Sequence, residues 1–513
     1  MGKGSMTPPA SLSSAGWKLK APHDAQAQGI VVSGFSDLYW AEALFLEADQ
    51  PGSGWIAALR TVAPITDATA KQVRSAVLAF TCPGLAKLGL DEHDLGTFAT
   101  PFREGMYQED RLRRLGDKID GKWEPTVIPG GPVWGGNNNA QTSGPFKTVH
   151  ALLLLYDKTE AGVQNWADQL AKTLAPFGVN IVHKLSLNLQ PGENKIAREH
   201  FGFADGMSQP IPYGDSVVVS NNPSSNNRPS ERNPWHGVPL GEILLGHANA
   251  HHEKAPGPYV RSKTNRVADL TREGAPEGFL NLGLNGSYMI VRELRQDVAA
   301  FWNSLKANAE RIQHHDPSAT PVTADWIAER IIGRTRDGHL LCPAGAVPPA
   351  PDGQPENDVG FLQKDPYGHG CPLGSHVRRS NPRDGLAPDL AAAQTILDAA
   401  NNHRILRRGR KFGLPASDPY HDDGQERGLL FICLNSDIAR QFEFIQQTWV
   451  LNQNFATLFD ETDPLVGPKG RFTIHEEGKP LRRIVEVETF IRMAGGEYFF
   501  LPSIPALDYL ASL

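Results

Sequence analysis

Strand-like apolar runs and stripes of helical period take turns along this chain, and they do so twice. In the first half, ALLLLYD at 151–157 is almost wholly apolar, as a strand buried on both faces reads. It leads into 160–177, where Val163, Trp166, Leu170 and Leu174 recur at helical spacing and Gly178 stands where a C-terminal cap belongs. VNIVHKLSLNL at 179–189 then predicts a returning strand. Upstream, GIVVSGF at 29–35, AEALFLEAD at 41–49 and VRSAVLAF at 73–80 predict further strands, and Pro83 opens the short helix GLAKLGL.

The second half repeats the style. GSYMIVREL at 286–294 predicts a strand running into the helix QDVAAFWNSLKANA. GLLFICL at 428–434 leads through Asn435 and Ser436, plausible capping residues, into DIARQFEFIQQTWV, where Ile438, Phe442, Ile445 and Trp449 form one apolar stripe. Both stripes read as core packing. The fold class that follows is α+β, in two halves of split βαβ type. The predicted division is a flexible N-terminal arm at 1–24, an N-terminal domain at 25–212, a polar connector at 213–283 containing SNNPSSNNRPSERNP and APGPY, and a C-terminal domain at 284–513. The last carries a polar insertion at 310–370 with DPSATP and AVPPAPDGQPEN.

Bulk composition mainly removes options. At 513 residues the chain is too long for one core. With 50 basic and 57 acidic residues the net charge is −7, which points to neither nucleic acid nor a membrane surface as partner. The cysteines Cys82, Cys342, Cys371 and Cys433 are far apart, with no C-x-x-C pair, against a disulfide framework, a structural zinc site or covalently attached haem. The opening MGKGSMTPPASLSSAG has no apolar signal-like core, and no apolar run approaches the ~18 residues of a bilayer span. The expected compartment is reducing and cytoplasmic.

No phosphate-binding loop, dinucleotide fingerprint, H-E-x-x-H or G-x-S-x-G pattern occurs. HANAHHE at 247–253 reads as a solvated loop, because no second cluster completes a metal site. Three segments carry chemistry. In EHFGFADGMSQP, 199–210, glycines on each side of Asp205 let backbone approach a ligand closely. In CPLGSHVRRSNPRDG, 371–385, His376 precedes Arg378, Arg379 and Arg383, a cationic setting that disfavours imidazolium and suits a neutral metal ligand beside carboxylate-binding arginines. In NNHRILRRGRKFG, 401–413, basic residues interrupt the apolar pair Ile405–Leu406, so at least one arginine points inward.

Together these segments resemble the dye-decolourising peroxidase family. Gly202–Phe203–Ala204–Asp205–Gly206 matches its GxxDG signature, His376 lies in a segment like that of its proximal haem ligand, and Arg407 falls where it carries a distal arginine. GLLFICLNSDIARQFEFIQQTWV and GGEYFFLPSIPAL also resemble late segments of the family, and the likeness covers most of 28–510. The resemblance implies a longer, cytoplasmic-type member. Its fold would be two ferredoxin-like domains, with haem b held non-covalently, mainly by the C-terminal one. Asp205 and Arg407 would be catalytic and His376 the iron ligand. Gly206, Met207, Ser208, Asn381, Pro382, Arg383 and Arg407 would contact the cofactor, and Asp463 would orient His376. Hydrogen peroxide and small aromatic reductants would be the substrates. Bulky dyes would need a surface electron port, for which Trp449 is the candidate. The alternative is a haem-handling protein with little turnover.

Overall fold

The computed structural model describes residues 17–69, 73–137, 142–190, 196–219, 235–261, 270–342, 357, 359–478 and 483–513. The predicted arm up to residue 16, the serine- and asparagine-rich stretch of the connector and most of AVPPAPDGQPEN lie outside these residues.

The first half supplies β1 (Trp40–Ala48), α1 (Gly54–Val62), β2 (Ser75–Phe80), β3 (Ala151–Asp157), α2 (Glu160–Leu174) and β4 (Val179–Asn188). Thr159 caps α2 by accepting the Gly162 N–H, and a short 3-10 turn ends at Gly178 with φ of 64°. The second half supplies β5 (Ser287–Gln296), α3 (Val298–His315), α4 (Ala324–Ile332), α5 (His376–Ser380), β6 (Leu406–Arg407), β7 (Arg410–Phe412), β8 (Gly428–Asn435) and β9 (Ile491–Leu501). Residues 439–443 and 445–450 continue from β8 as a π-wound helix.

The strands of both halves join in one mixed α+β framework. Within the first half the order is β2-β3-β1-β4, and within the second it is β9-β5-β8 followed by β6 and β7. Every one of these pairings is antiparallel. Two seams link the halves, Phe80 opposite Phe500 on one side and Leu187–Asn188 opposite Phe412–Lys411 on the other. The pairings therefore close into a ring.

Alternation along the strands assigns the faces. Ala43, Phe45, Val77, Leu152, Leu154, Met289, Val291, Leu430, Ile432 and Phe499 form one buried cluster. Leu44, Leu46, Leu78, Leu153 and Leu155 face the other way, against Trp55 and Leu59 of α1 and Trp166 and Leu170 of α2. Leu153 is wholly buried and stands between Leu44 and Leu78. Leu153→Ala is expected to cost about 2–5 kcal/mol, because the neighbouring strands cannot close over the missing atoms. Urea denaturation of the variant checks it.

Several expectations need correction. GIVVSGF is no strand: Gly29–Val31 form a buried 3-10 turn, because Arg408 and Arg410 take up the Ile30, Val31, Gly34, Phe35 and Leu38 carbonyls that a ladder would have used. The arm is ordered from Trp17, since Trp17–Leu19 pair with Val217–Val219. The connector contributes Val238, Leu240, Ile243 and Leu244 to the main buried cluster, so it is part of the core. In the 310–370 insertion, α4 packs on α3 through Ile327, Ile331, Phe301 and Leu305. The loop 247–253 is only partly solvated, since His247 is largely buried, bonds to Asn285 and meets His23 edge-on.

Candidate active site

On the second half's strands, the face turned away from the first cluster lines one cavity of about 300 Å³. Every second residue contributes: Leu429 and Phe431 from β8, Arg292, Leu294 and Gln296 from β5, Ile491 and Met493 from β9. The π-wound helix adds Phe442, Ile445, Gln446 and Val450.

Asp205 reaches this cavity from a tight loop. Gly202 and Gly206 have φ of 96° and 77°, and a Cβ at Gly202 would stand 2.7 Å from the Arg336 guanidinium. Phe201 and Phe203 anchor the loop in the cluster around α3, with Phe201 stacked on Phe301 at 4.4 Å. Asp205 Oδ1 accepts from Arg407 NH1 at 3.0 Å and from the Gly206 N–H at 2.6 Å. Arg407 is itself placed by β6, where it lies opposite Cys433; its N–H donates to Gln209 and its NH2 to the Ser208 carbonyl. Both side chains remain partly exposed, at 40% and 34%. The pair is therefore reachable by a small solute.

His376 opens α5 and lines the same cavity. Its Nδ1 lies 2.9 Å from Asp463 Oδ2, while Asp463 Oδ1 accepts the N–H groups of Leu465 and Val466. A carboxylate only accepts, so Nδ1 carries the proton and Nε2 is left as a basic lone pair. Burial disfavours the imidazolium, but the Asp463 charge outweighs it and the His376 pKa rises. Burial likewise works against the Asp463 carboxylate, yet the histidine and the backbone donors hold its pKa below the usual range. The expectation that the arginine cluster would depress His376 is thus overturned: Arg407 acts in that direction, and Asp463 is stronger.

Of the cationic cluster, only Arg383 lines the cavity. Arg378 is spent on the Asp365 and Cys371 carbonyls, and Arg379 on those of Trp449, Asn452 and Glu461. Gly206, Met207, Ser208, Asn381 and Arg407 line the cavity, whereas Pro382 is buried outside its lining and accepts the Gly385 N–H. Trp449 cannot be a surface port: it is 6% exposed, enclosed by His403 and Phe444.

Three lining arginines, Arg292, Arg334 and Arg404, escaped the sequence reading, and the last two carry surplus charge. Burial, followed by repulsion from Arg383 and Arg407, brings Arg404 down to about 9, and Arg334 falls to about 9 for the same principal reasons. Arg404 stands in the quoted NNHRILRRGRKFG, whereas Arg334 follows the left-handed cap Gly333 of α4 with no chemical motif around it. Arg334, Arg383, Arg404 and Arg407 thus line one cavity, Arg407 paired with Asp205, and Arg292 lines it too, paired with Asp117. Asn381 Oδ1 also has no partner among the described residues. Surplus buried positive charge favours an anionic occupant. Among the described residues no group of three or more His, Cys, Asp or Glu could hold a metal ion. A single imidazole suits a metal that brings its own macrocycle. Apolar along the strands and cationic at one part of its lining, the cavity has the groups haem would need: His376 for the iron and arginines for the carboxylates.

Such a site, set on an α+β ring, has the donor set of a redox enzyme's cofactor pocket, and comparison with known proteins narrows the class. No family model matches the chain. The dye-decolorizing peroxidase msp1 of Mycetinis scorodonius is 26% identical over 473 residues, 87% of this chain and 78% of that one. The multifunctional dye peroxidase DyP2 of an Amycolatopsis species is 28% identical over 386 residues, 71% and 72% of the two chains. In fold, a solved dye-decolorizing peroxidase in complex with 2,6-dimethoxyphenol superposes with a TM-score of 0.69 at 24% identity, covering 96% of this chain and 100% of that one. Over most of its length the chain is thus similar in sequence and in fold to dye-decolourising peroxidases.

Proposed function

We propose that this protein is a haem b peroxidase, reducing hydrogen peroxide to two waters as two aromatic reductants each give up one electron and one proton. The observation that carries the reading is the meeting, around one cavity, of the Asp205–Arg407 pair and the His376–Asp463 pair. Bound there, haem supplies an iron that takes up peroxide and passes electrons singly. His376 Nε2 would hold it, and Arg383, with Arg334 and Arg404, would face its carboxylates.

The chain's own part is proton handling. The Asp205 carboxylate takes the proton from one peroxide oxygen and returns it to the other, making that oxygen a leaving water. Arg407 NH1, already on Asp205 Oδ1, orients that carboxylate and offsets negative charge at the leaving oxygen. A protein that only carried haem would use His376 and the arginines, but would have no need of Asp205 beside Arg407. The phenol bound by the solved relative supports phenols and dyes as the reductant class here.

We read each half as a ferredoxin-like domain, at 25–212 and 284–513. The strand orders β4-β1-β3-β2 and β9-β5-β8-β7 support this. Most lining residues come from the second half, which supports it as the main haem holder. The four cysteines are free thiols, in keeping with a reducing, cytoplasmic setting. No helix among the described residues is long and apolar enough to cross a membrane.

An absorption spectrum taken before and after one equivalent of hydrogen peroxide tests the function. A ferric Soret band that shifts rapidly with peroxide and returns when a phenol is added is the expected outcome. A band that peroxide merely bleaches would sink the reading.

A further inference from the structure

Glu199 begins the loop that ends at Asp205, and the proton chemistry above makes no use of it. The side chain is half-buried, and it lines both the main cavity and a smaller one of about 80 Å³ beside it; Asp205, Gly206, Arg407 and Leu429 are likewise common to both walls. Both its oxygens are engaged. Oε2 accepts the Phe201 N–H at 2.8 Å and Gln296 Nε2 at 2.7 Å, and Oε1 accepts the Phe203 N–H at 2.9 Å. The backbone closes over the same side chain, since the Glu199 N–H donates to the Phe203 carbonyl and the Gly202 N–H to the Glu199 carbonyl, both at 3.0 Å. The Ala204 N–H is then taken by the Arg336 carbonyl at 3.0 Å, one residue before Asp205. Gln296, held through its Nε2, lines the cavity with an Oε1 that has no partner among the described residues.

We infer that Glu199 is a positioning residue for the peroxide reaction: by holding the Phe201 and Phe203 amides and the Gln296 side chain, it fixes where Asp205 meets Arg407. The inference rests on the peroxidase reading above. A carboxylate is the one side chain of this size that accepts from all three donors at once. Glutamine at 199 would turn an N–H group toward at least one of those donors, loosening the loop while leaving Asp205 in place chemically. Burial and the nearby Asp205 charge raise the Glu199 pKa, and the three donors oppose them only in part.

A double-mutant cycle on the haem-loaded enzyme separates positioning from simple structural support. Glu199→Gln is expected to slow the reaction with peroxide by about 10- to 100-fold, the scale of a displacement of about 1 Å in a catalytic group. In an Asp205→Ala background the same substitution is expected to change that rate by less than about 2-fold, because its effect passes through Asp205. Hydrogen exchange supplies a readout independent of turnover: the Phe201 and Phe203 amides should lose protection in Glu199→Gln while strands β5 and β8 keep theirs. Gln296→Leu removes one of the three bonds and serves as the milder variant, with a smaller slowing in the same direction. Equal costs in the two backgrounds, or unchanged peroxide reactivity in both Glu199→Gln and Gln296→Leu, would overturn the inference. If Asp205→Ala alone reacts at the parental rate, the peroxidase proton chemistry itself fails, and the positioning role goes with it.

Discussion

Asp205→Ala is expected to retain haem and to react with hydrogen peroxide about 10²- to 10⁴-fold more slowly, the usual scale for a lost general acid–base. Retention follows because the groups that would hold haem, His376 and the arginines Arg334, Arg383 and Arg404, are all left in place. The slowing follows because the other ionisable side chains of its loop are engaged elsewhere: Glu199 has both oxygens committed to N–H donors, and His200 Nε2 is on the Phe412 carbonyl and off the cavity lining. Arg407→Leu should fall in the same direction, since it removes the partner of Asp205 Oδ1 and the cation that offsets developing charge. Stopped-flow spectra at several peroxide concentrations give the second-order rates. Parental rates in both variants would falsify the assignment.

Asp463→Asn should weaken haem binding or turnover by about 10- to 100-fold, as removal of a carboxylate behind a ligating histidine does. The substitution preserves shape, and one side-chain oxygen can still accept the Leu465 and Val466 amides. What disappears is the charge facing His376 Nδ1 at 2.9 Å. The imidazole then becomes a poorer donor to iron, so the ferric state is less stabilised and the reduction potential moves upward. Haem titration of the apoprotein and spectroelectrochemistry read the two effects separately. An unchanged potential with unchanged affinity would show that the carboxylate only orients the ring.

Much of this was legible because it is local. ALLLLYD marks β3 to the residue, and the 160–174 periodicity with Gly178 marks α2 and its cap, since burial on one face leaves a periodic trace. GFADG could be read because a left-handed turn around a carboxylate restricts which residues fit. What escaped depends on contacts between distant segments. GIVVSGF has the composition of a strand but gives its carbonyls to Arg408 and Arg410, some 380 residues away in sequence. The stripe through Ile438, Phe442, Ile445 and Trp449 predicts a helix without revealing its π winding. That winding accompanies Gln441, whose buried amide binds the Glu242 and Arg404 carbonyls. Arg334 has no motif at all, because its chemistry comes from burial beside other arginines.

The two seams bear on how the protein comes to hold anything. An antiparallel half with β2 and β4 unpaired at its borders offers two adhesive edges, and the partners that cover them lie more than 200 residues further on. β9, which shuts the ring against β2, follows every other strand of that ring in sequence. The same strand carries Ile491 and Met493 of the cavity wall. Closure of the ring and completion of the pocket wall therefore depend on one strand. Loss of the β9 seam would at once bare an adhesive edge of β2 and open the cofactor's wall.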